Sequence, residues 1–452
     1  MNLLFVFADE LRAQSVSCGG NIDVQTPVLD RLAAEGVIFD HAYSTTPVCT
    51  PARGSLLTGC WPRSHGAVVN DLPISPAAPS IARRLTERGY LCGYVGKWHL
   101  GGLPRDRFTP PGIERLGFDD FWASWECGHD YMNPHWYEDS PAIHAEPGRY
   151  EPEVQTDISI GWLERLHLSG ADRPFCLYIS YGPPHDPYVP DPPGMEGLYD
   201  PDQLTLRPNV PEHIATAVRS DLSHYYAHIT AIDLQLGRLV AFLRDHDMLD
   251  DTLIVFTSDH GTMLGSHGRH AKQIPFEEAI AIPLVMRGGP PLGSVGRHED
   301  VFISTVDIAP TLLGLLGQQP DTRMQGLDLS AHIANPALPG RPASVCIENA
   351  LVVDRSRLWG VRPWWGVRTA RYTYARHVEQ PWLLFDNQAD PYQLVNLAHY
   401  DRDRLVVEAR LELDALVYQS FGRVGEPIVP EDEYAAICGV GPLWERRKAG
   451  WQ

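Results

Sequence analysis

The sequence predicts an α/β fold: a large, mostly parallel sheet sandwiched by helices, followed by a smaller C-terminal antiparallel sheet with a covering helix. Three observations carry this. Short, wholly apolar, β-rich runs alternate with helical patterns, as strands buried on both faces of a parallel sheet require. Each run ends in a polar cluster, at the carboxyl end where open α/β sheets bind ligands. After about residue 320 the pattern changes to short strands closely spaced along the chain.

Leu3–Ala8 is the first strand and runs into Asp9-Glu10. Pro27–Glu35 and Ser80–Arg88 carry helical patterns. Tyr90–Val95 is a strand leading into Gly96-Lys97-Trp98-His99, and Phe175–Tyr181 is another leading into Gly182-Pro-Pro-His185-Asp186-Pro187. A long helix is expected from about Pro211 to Asp247, and Leu253–Ser258 is a strand ending at Asp259-His260-Gly261. Loop signals at Gly317–Pro320 and Asn335–Gly340 divide the chain into a site-bearing domain, residues 1–335, and a C-terminal subdomain, residues 336–452. The latter holds candidate strands Ser344–Glu348, Trp365–Thr369, Tyr372–Arg376 and Trp382–Phe385, and a helix from about Arg402 to Phe421. The Pro/Gly-rich segments 104–111, 183–211 and 288–296 are expected as loops at the rim of the site.

Composition narrows the function. With 44% hydrophobic and 21% charged residues the chain can build a core, which excludes disorder. No apolar run approaches the roughly 20 residues of a membrane span. A net charge of −20 argues against nucleic acid or an anionic membrane as partner. The eight cysteines show no CxxC and no regular spacing, which suits a reducing compartment. The first residues read as a strand and not as a secretory signal, so a cytoplasmic protein of bacterial origin is expected.

Lysine is scarce: of 37 basic residues only Lys97, Lys272 and Lys448 are lysine. A chain that otherwise uses arginine keeps two interior lysines, each a compact charge with a tunable pKa. Both are candidates before any motif is consulted. Cys49-Thr-Pro51-Ala-Arg53-Gly-Ser55-Leu-Leu-Thr-Gly59 places a cysteine near a helix start, with proline in the first turn. There the dipole and orphan N–H groups favour an anion or thiolate.

This segment resembles the signature of the type I, formylglycine-dependent sulfatases of the alkaline phosphatase superfamily, in which the cysteine of C-x-P-x-R is oxidised to formylglycine. Other family elements follow in order. Asp9-Glu10 stands where the family has a pair of metal ligands. Gly96-Lys97-Trp98-His99-Leu100-Gly101 resembles its G-K-W-H-L-G element, and Pro184-His185-Asp186-Pro187 its P-H-x-P element. Ser258-Asp259-His260-Gly261, Gly265-Ser266-His267-Gly268 and Lys272 resemble the S-D-H-G … G-x-H-G … K block. Leu384–Pro391 with Asn396-Leu397 matches its C-terminal segment. The resemblance implies an alkaline phosphatase-like fold and hydrolysis of a sulfate ester.

It also implies roles. Cys49, Arg53, Lys97, His99, His185 and Lys272 are the catalytic group; Asp9, Glu10, Asp259, His260 and Cys49 hold one divalent metal. Oxygen-rich ligation favours Ca²⁺, with Mg²⁺ as the usual alternative. His260 stands where many sulfatases carry Asn, and an imidazole ligand keeps Mn²⁺ or Zn²⁺ open. His185 or Lys272 protonates the leaving oxygen, and His99 takes a proton from position 49. The implied partners are a small-molecule or glycan sulfate ester and a formylglycine-generating enzyme, with room for a homo-oligomer.

The segment Phe121–Tyr137 mixes aromatic rings with polar groups, as a sugar-binding cleft does. His129, Asp130 and His135 are therefore candidate substrate contacts, together with His267. The alternatives are a phosphonate or phosphate mono- or diester hydrolase of the same superfamily, favoured by His260, and a non-catalytic binder of sulfated ligands. The intact Cys49, Arg53, Lys97 and Lys272 count against the last.

Overall fold

The computed structural model describes residues 1–170, 172–289, 292–293 and 296–449. Its first strand, β1 (Asn2–Asp9), is buried along its whole length. Leu3, Phe5 and Phe7 enter one core, and Leu4, Val6 and Ala8 enter the other. Burial on both faces is why the run is unbroken apolar.

Around β1 lie β2 (Val37–Phe39), β3 (Leu91–Lys97), β4 (Phe121–Trp125), β5 (Phe175–Pro184), β6 (Thr252–Ser258), β7 (Leu284–Arg287) and β8 (Arg297–Glu299). The spatial order is β8-β2-β7-β6-β1-β5-β3-β4. The strands run parallel except β7, which reverses between β2 and β6. One core packs against α2 (Cys49–Thr58), α3 (Ile81–Thr86) and α6 (Thr305–Leu315); the other packs against α1 (Pro27–Ala34), α4 (Glu151–Ser169) and α5 (Ala215–Asp245). Ser80 caps α3, its hydroxyl accepting the Arg83 N–H at 3.1 Å.

The reversal of β7 corrects one expectation. It carries Gly288, Gly289 and Gly293 to the opposite edge of the sheet, beside Glu35, Arg244 and Asp250, so the 288–296 loop does not rim the site. Positions 290, 291, 294 and 295 lie outside the described residues.

The C-terminal part is a four-stranded antiparallel sheet, β9 (Ser344–Asn349), β10 (Trp364–Thr369), β11 (Tyr372–Arg376) and β12 (Pro381–Asp386), crossed by α7 (Arg404–Val424). Two more helices follow, Glu431–Ile437 and Gly441–Ala449, beyond the one covering helix that the sequence pattern predicts for this part. Trp61, Val68 and Val306 share a core with Trp365, Val367, Tyr374 and Phe421, so this sheet is packed against the region behind α2. Among the described residues no helix is long and apolar enough to cross a membrane.

Candidate active site

Four strand ends and one helix start converge. β1 delivers Asp9 and Glu10, β3 delivers Lys97 and then His99, β5 delivers His185, and β6 delivers Asp259 and His260. Cys49 opens α2. Gly96 permits the close approach of β3 to β5: a Cβ there would stand 2.1 Å from the Ser180 carbonyl oxygen, and its φ is +103°.

Arg53, one turn along α2 from Cys49, organises the carboxylates. Its Nη2 lies 3.2 Å from Asp9 Oδ2 and its Nε 3.0 Å from Asp259 Oδ2. Nη1 donates to the Lys97 carbonyl at 2.9 Å and to Ser180 Oγ at 2.6 Å, while the guanidinium sits over the Phe7 ring. The Oδ1 atoms of both carboxylates are left off the guanidinium, and that of Asp259 accepts the backbone N–H groups of Glu10 at 3.1 Å and His260 at 2.8 Å. Asp9 Oδ1 lies 3.6 Å from Cys49 Sγ, and Asp259 Oδ1 lies 3.6 Å from His260 Nε2. Lys97 Nζ also pairs with Asp9 Oδ2. Burial alone would raise the Asp9 pKa, but Lys97 and then Arg53 hold it well below the usual carboxylate range.

The donor set fits a divalent cation. One ligand atom each from Asp9, Cys49, Asp259 and His260 lies within 4.8 Å of the others, and all four residues are buried. His260 Nδ1 donates to the Gly261 carbonyl oxygen at 2.9 Å, so Nε2, 3.3 Å from Cys49 Sγ, is the nitrogen that faces this group. Glu10 belongs to a neighbouring group with Asp9 and His185. Its Oε2 is held by Lys272 Nζ at 2.7 Å and faces His185 Nε2 at 3.0 Å.

Above this floor is a cavity of about 310 Å³ whose lining includes Cys49, Lys97, His99, His129, His185 and Lys272. Burial and Asp9 push the Cys49 thiol up, but Lys272, Lys97 and His260 outweigh them and bring its pKa to about 6. Burial works against charge on Lys272, yet Cys49 and Glu10 hold its pKa well above the ordinary value. Burial, and then Lys272, keep His185 neutral. Its ring stacks on His129 at 4.2 Å, and Tyr131 pins both, donating to the His185 carbonyl at 2.9 Å and standing 3.1 Å from His129 Nδ1.

The proposed substrate contacts separate. His129 lines the cavity. Asp130 is exposed and bonded to Asn133 at 3.0 Å, and His135 is tilted against Trp125; neither lines the cavity. His267 stacks on Phe276 at 4.2 Å and stands 3.1 Å from Asn209, also away from the lining. The rings of Trp122, Trp125 and Trp136 are buried in the two sheet cores. They shape no cleft, which corrects the sugar-platform expectation for that segment.

The cavity also holds residues that sequence reasoning missed. Arg105 and Cys127 line it, as does Asn70, whose Oδ1 accepts the Thr50 N–H at 3.0 Å. Asp71 lies behind, against His99. Signals existed only for Arg105, within the expected 104–111 rim loop, and for Cys127, within the aromatic segment.

The chain matches the sulfatase family over residues 1–318 and the C-terminal region of N-sulphoglucosamine sulphohydrolase over residues 265–417. It is 35% identical to an ulvan-active sulfatase of Formosa agariphila, over 96% of this chain and 83% of that protein. An endo-4-O-sulfatase of Bacteroides thetaiotaomicron is 30% identical over 90% of this chain and 89% of its own. A solved structure from the same organism, described under the metabolism of multiple glycosaminoglycans, superposes with a TM-score of 0.83 at 27% identity. It covers 94% of this chain and 97% of that one.

Proposed function

The chain belongs to the sulfatase family, and on that premise we propose that it hydrolyses a sulfate ester carried by a carbohydrate, with position 49 as the nucleophile. The observation that carries this is the convergence of Cys49, Lys97, His99 and Lys272 over the inward-facing oxygens of Asp9 and Asp259. The glycosaminoglycan context of the Bacteroides thetaiotaomicron structure supports a sugar as the alcohol. A formylglycine made from Cys49 by a formylglycine-generating enzyme would supply a hydrated aldehyde as nucleophile. One divalent cation, Ca²⁺ or else Mn²⁺ or Mg²⁺, held by Asp9, Asp259, His260 and position 49, would supply Lewis-acid charge beside it.

The chain's own residues do the rest. Lys97 and Lys272 place two ammonium charges at the cavity floor, where a sulfate's equatorial oxygens need them. Lys272 or His185, both of which line the cavity, protonates the leaving oxygen. Lys272 Nζ holds Glu10 Oε2 at 2.7 Å, and His185 Nδ1 is anchored on the Asp186 carbonyl oxygen at 2.6 Å. His99 holds or moves a proton at its cavity-facing nitrogen. Arg53 keeps Asp9 and Asp259 turned inward.

A second reading, phosphonate or phosphate ester hydrolysis at the same site, is favoured by His260, whose imidazole suits a transition metal. One panel tests both. Protein from a host with maturation activity is assayed on a sulfated sugar, an aryl sulfate and a phosphonate ester, and the peptide containing position 49 is weighed. The proposal expects an aldehyde or its hydrate and the highest kcat/KM on the sulfated sugar. Full activity with unmodified Cys49 overturns the nucleophile, and a preference for the phosphonate ester overturns the ester class.

A further inference from the structure

Two side chains at the cavity, Arg105 in its wall and Asp71 behind it, are not used by the reaction above. Asp71 Oδ1 stands 3.0 Å from His99 Nε2. Arg105 grips the same carboxylate twice, Nε to Oδ1 at 2.8 Å and Nη2 to Oδ2 at 3.0 Å. An ionised carboxylate is an acceptor only, so the ring nitrogen facing it carries the hydrogen. The other nitrogen, Nδ1, is buried with no nitrogen or oxygen partner, on a ring that lines the cavity and meets the Cys49 and Cys127 thiols. Asp71 itself is absent from that lining and meets it through His99 and Arg105, of which His99 is the group with a role in the reaction proposed above.

The backbone at both ends of this bond is unusual. Asp71 has φ 65° and His99 has φ 55°. Residues with a Cβ rarely adopt this left-handed conformation, and such strain persists where surrounding contacts over-determine it. Here it is found at both partners of one buried hydrogen bond, 28 residues apart in sequence. Arg105 adds a fork matched to the carboxylate plane, which fixes the rotamer of Asp71 in a way a point charge would not.

We infer that Asp71 is a positioning residue: it holds His99 by Nε2–H so that Nδ1 is presented to the reacting group, and Arg105 locks the carboxylate that does so. The inference rests on the proposed role of His99 as the group that holds or moves a proton in the cavity. Removing the carboxylate frees the ring to rotate or to take the other tautomer, with the hydrogen on the nitrogen that should face the substrate. The loss then falls on turnover and not on binding.

A double-mutant cycle tests this on whichever ester the enzyme turns over fastest, sulfate or phosphonate, so that a wrong ester class does not spoil the experiment. Asp71→Asn and His99→Ala are each expected to lower kcat by about 100-fold, with KM changed less than about threefold. The double variant is expected to be no slower than His99→Ala alone, because Asp71 acts through that ring. If Asp71→Asn does not fold, Arg105→Lys replaces it, with an expected kcat loss of about tenfold that vanishes in the His99→Ala background. Losses that multiply in the double variant overturn the inference, as does full activity of His99→Ala. A silent enzyme on sulfate esters that obeys the cycle on a phosphonate overturns only the proposed function.

Discussion

Arg53→Lys is the substitution that separates two jobs of one side chain. Arg53 is 1% exposed and spans both inward-facing acids, holding Oδ2 of Asp9 and Oδ2 of Asp259 with two different nitrogens. A lysine keeps the charge but presents a single point, so it can reach one carboxylate and must leave the other. Stranding one member of a buried pair costs about 3–5 kcal/mol. The retained charge and the nearby Lys97 put this case at the lower end, about 3 kcal/mol. The second job is orientation. With Oδ2 released, Asp9 Oδ1 is no longer fixed toward Cys49 Sγ, whereas Asp259 Oδ1 keeps the backbone N–H groups of Glu10 and His260; loss of a residue orienting metal ligands lowers metal affinity by about 10–100-fold. Urea unfolding in chelator, with and without added Ca²⁺ or Mn²⁺, reads both. The variant should have a lower midpoint in chelator and a smaller metal-induced shift than the parent. An unchanged midpoint with an unchanged metal shift would refute the organising role of Arg53.

Lys97→Arg and Lys272→Arg should each lower kcat/KM by about two powers of ten, because a larger fork cannot occupy the seat of a compact ammonium; Lys448→Arg, far from the cavity, should not. Steady-state kinetics decides, and near-normal interior variants would show that the two lysines are incidental. Between α7 and the C-terminal sheet, Glu348 and Glu426 are buried near each other with Arg63 Nε 3.4 Å from Glu426 Oε2. Burial lifts the Glu426 pKa from 4.5 to about 7 and, with Glu426 nearby, lifts that of Glu348 well above its ordinary value. Because the folded protein holds these protons more tightly than the unfolded chain does, their contribution to stability is fully present below about pH 4.5 and is lost as pH climbs through 7. Glu348→Gln should therefore raise Tm at pH 8 and change it little at pH 5; equal changes at both pH values would contradict the sign.

The strands that bear the site are legible because burial on both faces leaves uninterrupted apolar runs, each broken at its end by Asp9, Lys97, His185 or Asp259. Helix α4 is not legible, for a physical reason. Its buried face uses Gln155, which donates to Glu151, and Thr156 and Ser159, which back-bond within the helix, so no apolar stripe marks it. Strand β4 misleads in the other direction. It is the edge of the sheet, and Trp122 and Trp125 fall on opposite faces by strand alternation, one in each core. Aromatic density there reflects two half-filled cores and not a ligand platform.

The same distinction separates the site residues. Lysine is rare in this chain, so Lys97 and Lys272 stand out before any geometry is known. Asp71 and Arg105 belong to the commonest surface types, and beyond the rim-loop composition around Arg105 nothing local marks them. What marks them is a contact between segments 28 and 34 residues apart, together with a left-handed backbone that only the fold imposes. Residues that act through another residue carry no chemistry of their own to advertise. They become visible only when a ring such as that of His99 is found with Nε2 taken by a carboxylate and Nδ1 turned to the cavity side.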